Sequence, residues 1–237
     1  MSVILKTENF KVTSIEKSLY KIEFNKQAYF LINSLLKTRI LPGGFSDDSY
    51  KVIRFQAESV KTLREYQKEY KIKHGKESIM VSDIAKMIRS LTKQLSYLIE
   101  NEMRTIIGYN PEEIIVINNE KFALLSNDLV AKIDEESEMA MISCPYDTKD
   151  FFFSPEILKI KELPSYIHYK TAYFSLGVLL IYLLLGDNEF YKEYLTEKKP
   201  ELMLTYLKNH PIKESRIYWF LSRCLVEEVK NRSLFLI

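Results

Sequence analysis

Residue types that commonly carry chemistry are sparse in this chain. The three histidines are His74, His168 and His210, and the two cysteines are Cys144 and Cys224. A metal site needs several such ligands close together, and these five residues are scattered along the sequence. The spacing suggests no Ser/His/Asp or Cys/His arrangement either. The histidines are therefore predicted to be ordinary surface or loop residues, and no metal site is expected.

A short β-hairpin is expected around residues 114–125, with its second strand over residues 121–125. Which polar side chains come together near it depends on the elements that position them.

An almost unbroken apolar run, TAYFSLGVLLIYLLLG, covers residues 171–186. It is shorter than the roughly 20 apolar residues that span a bilayer. A soluble helix that is apolar on every side is surrounded by other elements. The run therefore predicts the buried central helix of a helical core rather than a membrane span.

Residues 10–56 predict a small antiparallel sheet of short strands. The predicted strands are rich in β-branched and aromatic residues and cover residues 10–14, 19–24, 28–32 and 50–55. No helix-length amphipathic segment is evident between Glu23 and Glu58. This part of the chain is therefore expected to be all strand and turn.

Two helices are expected after the sheet. Thr62 is a suitable N-cap for the first of them. Ser82 opens a longer helix, in which apolar residues recur at steps of three and four. These residues are Ile84, Met87, Ile88, Leu91, Leu95, Leu98 and Ile99. One face of the longer helix is therefore predicted to be buried.

Three motifs in the second half resemble the C-terminal lobe of eukaryotic-type protein kinases. Ser154-Pro155-Glu156 resembles the A-P-E triplet that closes the activation segment, and SLGV at residues 175–178 resembles the end of D-x-W-S-L-G-V. Residues 224–232 match C-L-x-x-x-x-x-x-R, and the spacing of all three motifs is similar to that of the family. The resemblance implies a protein-kinase-like α+β fold. A small antiparallel β N-lobe would occupy residues 1–57 and a mainly helical C-lobe residues 58–237.

The resemblance also identifies the positions that would be catalytic. Residues 106–116, IIGYNPEEIIV, are similar to H-R-D-L-K-P-E-N-I-L-V. Gly108 then stands at the catalytic aspartate, Asn110 at the lysine and Glu113 at the metal-binding asparagine. Ser126 stands at the aspartate of D-F-G. The base and a metal ligand are both lost, so the resemblance implies that no residue is catalytic.

The nucleotide-binding parts of the expected N-lobe are missing as well. A kinase covers the phosphates of ATP with a glycine-rich loop between its first two strands, and the corresponding turn here, residues 14–18, has no glycine. Lys21, Lys26 and Lys37 are candidates for the phosphate-binding lysine only by proximity, and its helical glutamate partner has no counterpart. The resemblance therefore implies neither Mg-ATP binding nor any other cofactor.

The family's scaffold residues are better preserved. Glu156 and Arg232 match a buried ion pair between the activation segment and a late helix. Ala172 replaces the aspartate that opens the central helix, which puts the usual anchor of the catalytic loop in doubt. Residues 151–153, three phenylalanines, are expected in the core. The acidic run at residues 134–138 is either a solvated loop or a docking face for a basic partner.

These observations predict an inactive, pseudokinase-like module that binds or scaffolds a protein partner. The net charge of +2, with 46% apolar and 28% charged residues, predicts neither nucleic-acid nor membrane binding. Two alternatives stay open: a nucleotide-dependent kinase or transferase that uses Glu113 and Asp128, and a structural subunit of a larger assembly. Restoring aspartate at Gly108 and Ser126 is expected to give a folded but inactive protein.

The cellular setting is predicted from cysteine use. Two cysteines favour a reduced, intracellular protein, cytoplasmic in the source or host cell. Frequent Lys, Ile, Tyr and Asn suggest an AT-rich genome, and a viral origin, with a place in a viral particle, is one hypothesis.

Overall fold

The computed structural model describes residues 2–146, 151–186 and 188–235, without the side chains of residues 188, 190 and 200. Within these ranges it combines small antiparallel sheets with eight α-helices. The predicted α+β class is therefore confirmed. Residue 1 of the expected first lobe and residues 147–150, 187 and 236–237 of the expected second lobe lie outside the described residues.

The first part of the chain forms a five-stranded antiparallel sheet. Its strands are β1 (Ser2–Lys6), β2 (Phe10–Glu16), β3 (Leu19–Phe24), β4 (Phe45–Ser46) and β5 (Val52–Gln56). They lie in the order β1-β2-β3-β5-β4. Side chains alternate along β3, so Tyr20, Ile22 and Phe24 are buried while Lys21 and Glu23 lie on the other face.

The predicted strand over residues 28–32 is wrong. These residues begin helix α1 (Tyr29–Lys37), which also overturns the expectation that no helix lies between Glu23 and Glu58. Leu31, Ile32 and Leu35 are buried against the sheet, at the spacing of one helix face. The sequence AYFLI at residues 28–32 is equally typical of a strand. Only the further buried residue Leu35, at helical spacing from Leu31 and Ile32, distinguishes a helix from a strand.

The turn expected at residues 14–18 is not the first turn of the sheet. Strand β1 precedes the strands that were predicted, so the first turn is formed by Thr7, Glu8 and Asn9. Residues 17 and 18 form the second turn, between β2 and β3. Neither turn contains glycine.

The middle of the chain leads into a β-hairpin. Strand β6 (Val60–Thr62) is followed by α2 (Leu63–His74), α3 (Val81–Glu102), β7 (Arg104–Ile106), β8 (Gly108–Tyr109), β9 (Ile114–Ile117) and β10 (Lys121–Leu124). Thr62 caps α2 as predicted, in a reciprocal capping box with Glu65. The predicted apolar stripe of α3 is buried, with Ile99 partly buried at its end. Strands β9 and β10 pair as the predicted hairpin.

Short strands and helices complete the fold. They are β11 (Val130–Lys132), β12 (Met139–Ile142), β13 (Phe152–Phe153), α4 (Pro155–Leu158), β14 (Ser165–His168), α5 (Thr171–Leu185), α6 (Asn188–Glu197), α7 (Pro200–Asn209) and α8 (Arg216–Cys224). A 3-10 turn, Val229–Asn231, precedes Arg232. Strand β13 pairs with β8, β11 with β7, and β12 with β14.

Helix α5 is the buried central helix that the apolar run predicted. It packs against α3, α7, α8, β8 and β13. Gly177 permits one of these contacts, because a Cβ there would lie 2.9 Å from Leu225. Gly186 ends the helix in the left-handed conformation, with the backbone of Ser78 against it. Among the described residues no helix is long and apolar enough to cross a bilayer.

The side chains form two hydrophobic clusters. The first comprises residues from the five-stranded sheet and α1, and the second comprises the helices around α5. The hairpin β9–β10 contributes to both, because alternate residues such as Ile115 and Ala123 face the sheet while Ile114 and Phe122 face the helices. The hairpin therefore joins the two clusters.

Candidate functional site

Gly108 lies in direct contact with an aromatic ring. Strands β8 and β13 pair Gly108 with Phe153, whose side chain is fully buried. A Cβ built on Gly108 would lie 2.2 Å from Cε1 and 2.4 Å from Cδ1 of Phe153. Any side chain at residue 108 must therefore displace this ring. The Gly108→Asp substitution is thus expected to disturb the fold, contrary to the expectation from sequence.

Phe153 belongs to a small aromatic group. Its ring stacks on Phe151 with centroids 5.5 Å apart and lies 5.8 Å from Tyr146. Phe152 and Phe153 are buried and Phe151 is partly buried, so the predicted core position of residues 151–153 is confirmed for the last two. The space beside Gly108 is filled by protein side chains.

A hydrogen-bonded network connects Glu113 and Ser126 to the first turn of the sheet. The side-chain amide of Asn9 donates to Oε1 of Glu113 at 2.5 Å and to Oγ of Ser126 at 3.3 Å. Glu113 is 8% exposed and Ser126 is 1% exposed. Asn9 lies between β1 and β2, 104 residues before Glu113 in sequence. The turn is thus held directly over these two residues.

Burial raises the pKa of Glu113 above the ordinary glutamate value. Desolvation is the main cause, the negative charges of Asp128 and Glu8 add to it, and hydrogen bonding from Ser126 and Asn9 opposes it. Asp128 itself is exposed, and its carboxylate pairs with Lys26 at 3.0 Å. The two carboxylates of the enzyme hypothesis therefore have different partners. Within the described ranges no three His, Cys, Asp or Glu residues form a metal-binding group.

The other positions that the kinase resemblance singled out are Asn110, Lys21 and Lys37. Asn110 accepts a hydrogen bond from the backbone N–H of Glu112 at 2.9 Å, which fixes the turn before β9. Lys21 lies on the third strand, but on the face opposite α1, and pairs with Glu23 at 3.1 Å. Lys37 is exposed at the end of α1.

Helix α1 carries no glutamate that a lysine of the sheet could meet. Its Asn33 instead donates to Glu102 at the end of α3, at 3.2 Å.

Ser175 joins the segment between β7 and β8 to the start of α4. Its hydroxyl donates to the carbonyl of Ile107 at 3.0 Å and accepts from the backbone N–H of Ser154 at 3.0 Å. Ser175 is fully buried in α5. Sequence reasoning missed this role, although a serine within a buried apolar helix must find partners. Ser175 lies about one helical turn after Ala172, the position at which the kinase resemblance would place such a contact.

The structure brings Glu156 and Arg232 together. The guanidinium of Arg232 meets both carboxylate oxygens of Glu156, at 3.0 and 2.5 Å, and also donates to the carbonyls of Val226 and Glu227. Arg232 is 0% exposed and lies over the ring of Phe174. This arrangement ties α4 to the segment after α8.

Two expectations about the surface have different outcomes. The acidic run at residues 134–138 is exposed and forms a turn between β11 and β12, in which Ser137 donates to Asp134. His168 is not a surface residue: it is 6% exposed and lies 3.2 Å from Glu138. Its position on β14, which pairs with β12, explains the burial. Burial also lowers the pKa of His168.

Models of known protein families give no match to this chain, and a search of curated proteins gives no significant match. The kinase resemblance therefore rests on the motifs and contacts described above.

We predict that Glu113 makes the protein less stable as the pH rises. The folded-state pKa is raised above the unfolded value, so the unfolded chain gives up this proton first and stability falls with pH above about 4.5. Glu113→Gln keeps an oxygen that accepts from Asn9 and removes the charge. The variant should match the parent under acidic conditions and exceed it at neutral pH in urea denaturation.

The matched control for this experiment is Glu112→Gln, because Glu112 is an exposed neighbour of Glu113. Its effect on the free energy of unfolding should be small. If the Glu113→Gln and Glu112→Gln profiles superimpose, Glu113 does not titrate in the buried setting described here.

We predict that Arg232→Ala destabilises the fold by about 3 kcal/mol, the lower end of the range for breaking a buried pair, because Glu156 keeps some solvent access. The variant strands the Glu156 carboxylate and two backbone carbonyls. Arg223→Ala is the control, since Arg223 is partly exposed and donates only to the carbonyl of Phe235. Denaturant midpoints that agree between the two variants would contradict the prediction.

Proposed function

We propose that this chain is a catalytically inactive, protein-kinase-like module that works by binding a protein partner. The order of elements supports this fold: a five-stranded antiparallel sheet, a helix after its third strand, a long amphipathic helix, a hairpin and a buried central helix. In kinases the helix that bears the conserved glutamate likewise follows the lysine-bearing strand. The contact between Glu156 and Arg232 is a further likeness.

One observation carries the proposal of inactivity. The positions that resemble a kinase's catalytic base and metal ligands are occupied by contacts within the protein. The ring of Phe153 covers Gly108, and the amide of Asn9 bridges Glu113 and Ser126. Phosphoryl transfer depends on positioning and charge neutralisation at these positions. We therefore expect these contacts to exclude Mg²⁺ and the nucleotide phosphates that it would hold.

The binding role is supported by the surface around the acidic turn. Met141 on β12 and Tyr166 on β14 are cross-strand neighbours and are 51% and 62% exposed. The acidic turn at residues 134–138 immediately precedes β12. An exposed apolar pair beside carboxylates suits a partner that presents basic and apolar residues.

The nucleotide-dependent enzyme is the competing function, and a binding titration distinguishes the two. We predict that Mg-ATP gives no saturable rise in melting temperature beyond that given by magnesium tripolyphosphate. A ligand at 100 times its Kd adds about 2.7 kcal/mol of stability, so specific binding would be readily visible. The tripolyphosphate control presents the phosphates without the adenosine.

A saturable rise that requires the adenosine would overturn the proposal of inactivity. Transfer of radiolabelled phosphate by the parent chain, abolished by Asp128→Asn, would establish the enzyme instead. Asp48→Asn is the control for that substitution, because Asp48 is also exposed and lies in a turn before β5.

A further inference from the structure

A basic cavity lies between α1, α3 and the hairpin β9–β10, and shares no residue with the site described above. It has a volume of about 350 Å³. Five cationic side chains line it: Arg39, Lys86, Arg89, Lys93 and Lys121. Glu120 is the single carboxylate in its lining. The whole chain carries a net charge of only +2, so this cavity concentrates positive charge.

Four of the five cations have no carboxylate partner within the described residues. Lys86 pairs with Asp83 and Glu120, each at 3.1 Å. Arg39, Arg89, Lys93 and Lys121 form no salt bridge with any described acidic residue. Lys121 donates only to the backbone carbonyl of Arg39, at 2.8 Å, which positions its ammonium group at the rim without neutralising it.

The positive charges around the cavity also lie close enough to repel one another. Lys86, Arg89 and Lys93 follow one another at steps of three and four on α3, so they share one face of the helix. The like charges of Arg89 and Lys93, four residues apart, disfavour the helix, and Arg39 and Lys121 add positive charge from outside α3. A bound anion would remove this repulsion.

The shape and chemistry of the lining favour a compact anion. The volume falls within the range of small-molecule sites. The buried residue Ser90 also lines the cavity and adds a hydroxyl group to the arginine and lysine donors. Guanidinium groups bind phosphate oxygens in pairs, and lysine binds them as a point charge. A nucleic acid would instead require basic residues spread along an extended stripe.

We propose that this cavity binds a small, multiply charged phosphate group, carried either by a soluble molecule or by a lipid headgroup. The proposal does not depend on the kinase-like function. Arg89 and Lys93, on the exposed face of α3, and Arg39, on the facing wall, are the residues that hold the phosphates.

The first experiment uses sodium tripolyphosphate without Mg²⁺, with sodium chloride at equal ionic strength as the reference. The parent chain should show a saturable rise in melting temperature and a measurable Kd by calorimetry. The double variant Arg89→Ala, Lys93→Ala should weaken binding by about tenfold or more, because each loses a hydrogen bond between charged groups. Alanine is a good helix former, so α3 is expected to remain intact.

The matched control is the double variant Lys159→Ala, Lys161→Ala. It removes two exposed lysines from a different cavity and changes the net charge by the same amount. It should bind tripolyphosphate as the parent does. Equal weakening in both double variants, or a stabilisation that follows ionic strength alone, would overturn the proposal.

The second experiment distinguishes the two sources of the phosphate. Vesicles of phosphatidylcholine, with and without phosphatidylinositol bisphosphate, are tested for sedimentation of the parent and of the two double variants. If the parent sediments only with the phosphorylated lipid, and the Arg89→Ala, Lys93→Ala variant does not sediment, the ligand is a lipid headgroup. Tripolyphosphate binding without sedimentation identifies a soluble ligand. Binding of single-stranded RNA of random sequence is measured as well. If the parent binds this RNA but not tripolyphosphate, and the Arg89→Ala, Lys93→Ala variant loses RNA binding, the proposal is contradicted.

Discussion

Strands β8 and β13 can pair closely only because residue 108 has no side chain. The ring of Phe153 lies where a Cβ would be, and the pairing brings the segment before α4 onto the segment before β9. Ser175 of the central helix holds both segments, through Ile107 and Ser154. The core around α5 therefore depends on the absence of a side chain at residue 108.

The side chain of Glu113, five residues after Gly108, is likewise enclosed by the protein. Glu113 could ligate a metal ion if its oxygens were accessible, but Asn9 occupies one of them and burial favours the protonated form. The turn that carries Asn9 thereby connects the sheet to the hairpin that joins the two hydrophobic clusters. The ring of Phe153 beside Gly108 and the amide of Asn9 beside Glu113 are two separate contacts, and each leaves its position enclosed by protein side chains.

Features that depend on local pattern could be predicted from the sequence. The apolar run of α5, the stripe of α3 and the cap at Thr62 are local, and a spaced motif pointed to Glu156 and Arg232. Helix α1 was missed because AYFLI suits a strand equally well, and burial against the sheet decided its structure. The contacts of Asn9 and Phe153 could not be predicted, because they join residues far apart in sequence through a two-residue strand and a three-residue turn. The burial of His168 was missed for the same reason, since it depends on the pairing of β14 with β12.

The central claim is that Phe153 fills the space of a side chain at residue 108, and a double-mutant cycle tests it most directly. Free energies of unfolding are measured for the parent, Gly108→Ala, Phe153→Leu and the double variant. The account predicts that Gly108→Ala costs about 1–3 kcal/mol in the parent, as overpacking does, and clearly less when residue 153 is leucine. An equal cost in both backgrounds, or no cost in either, would contradict it.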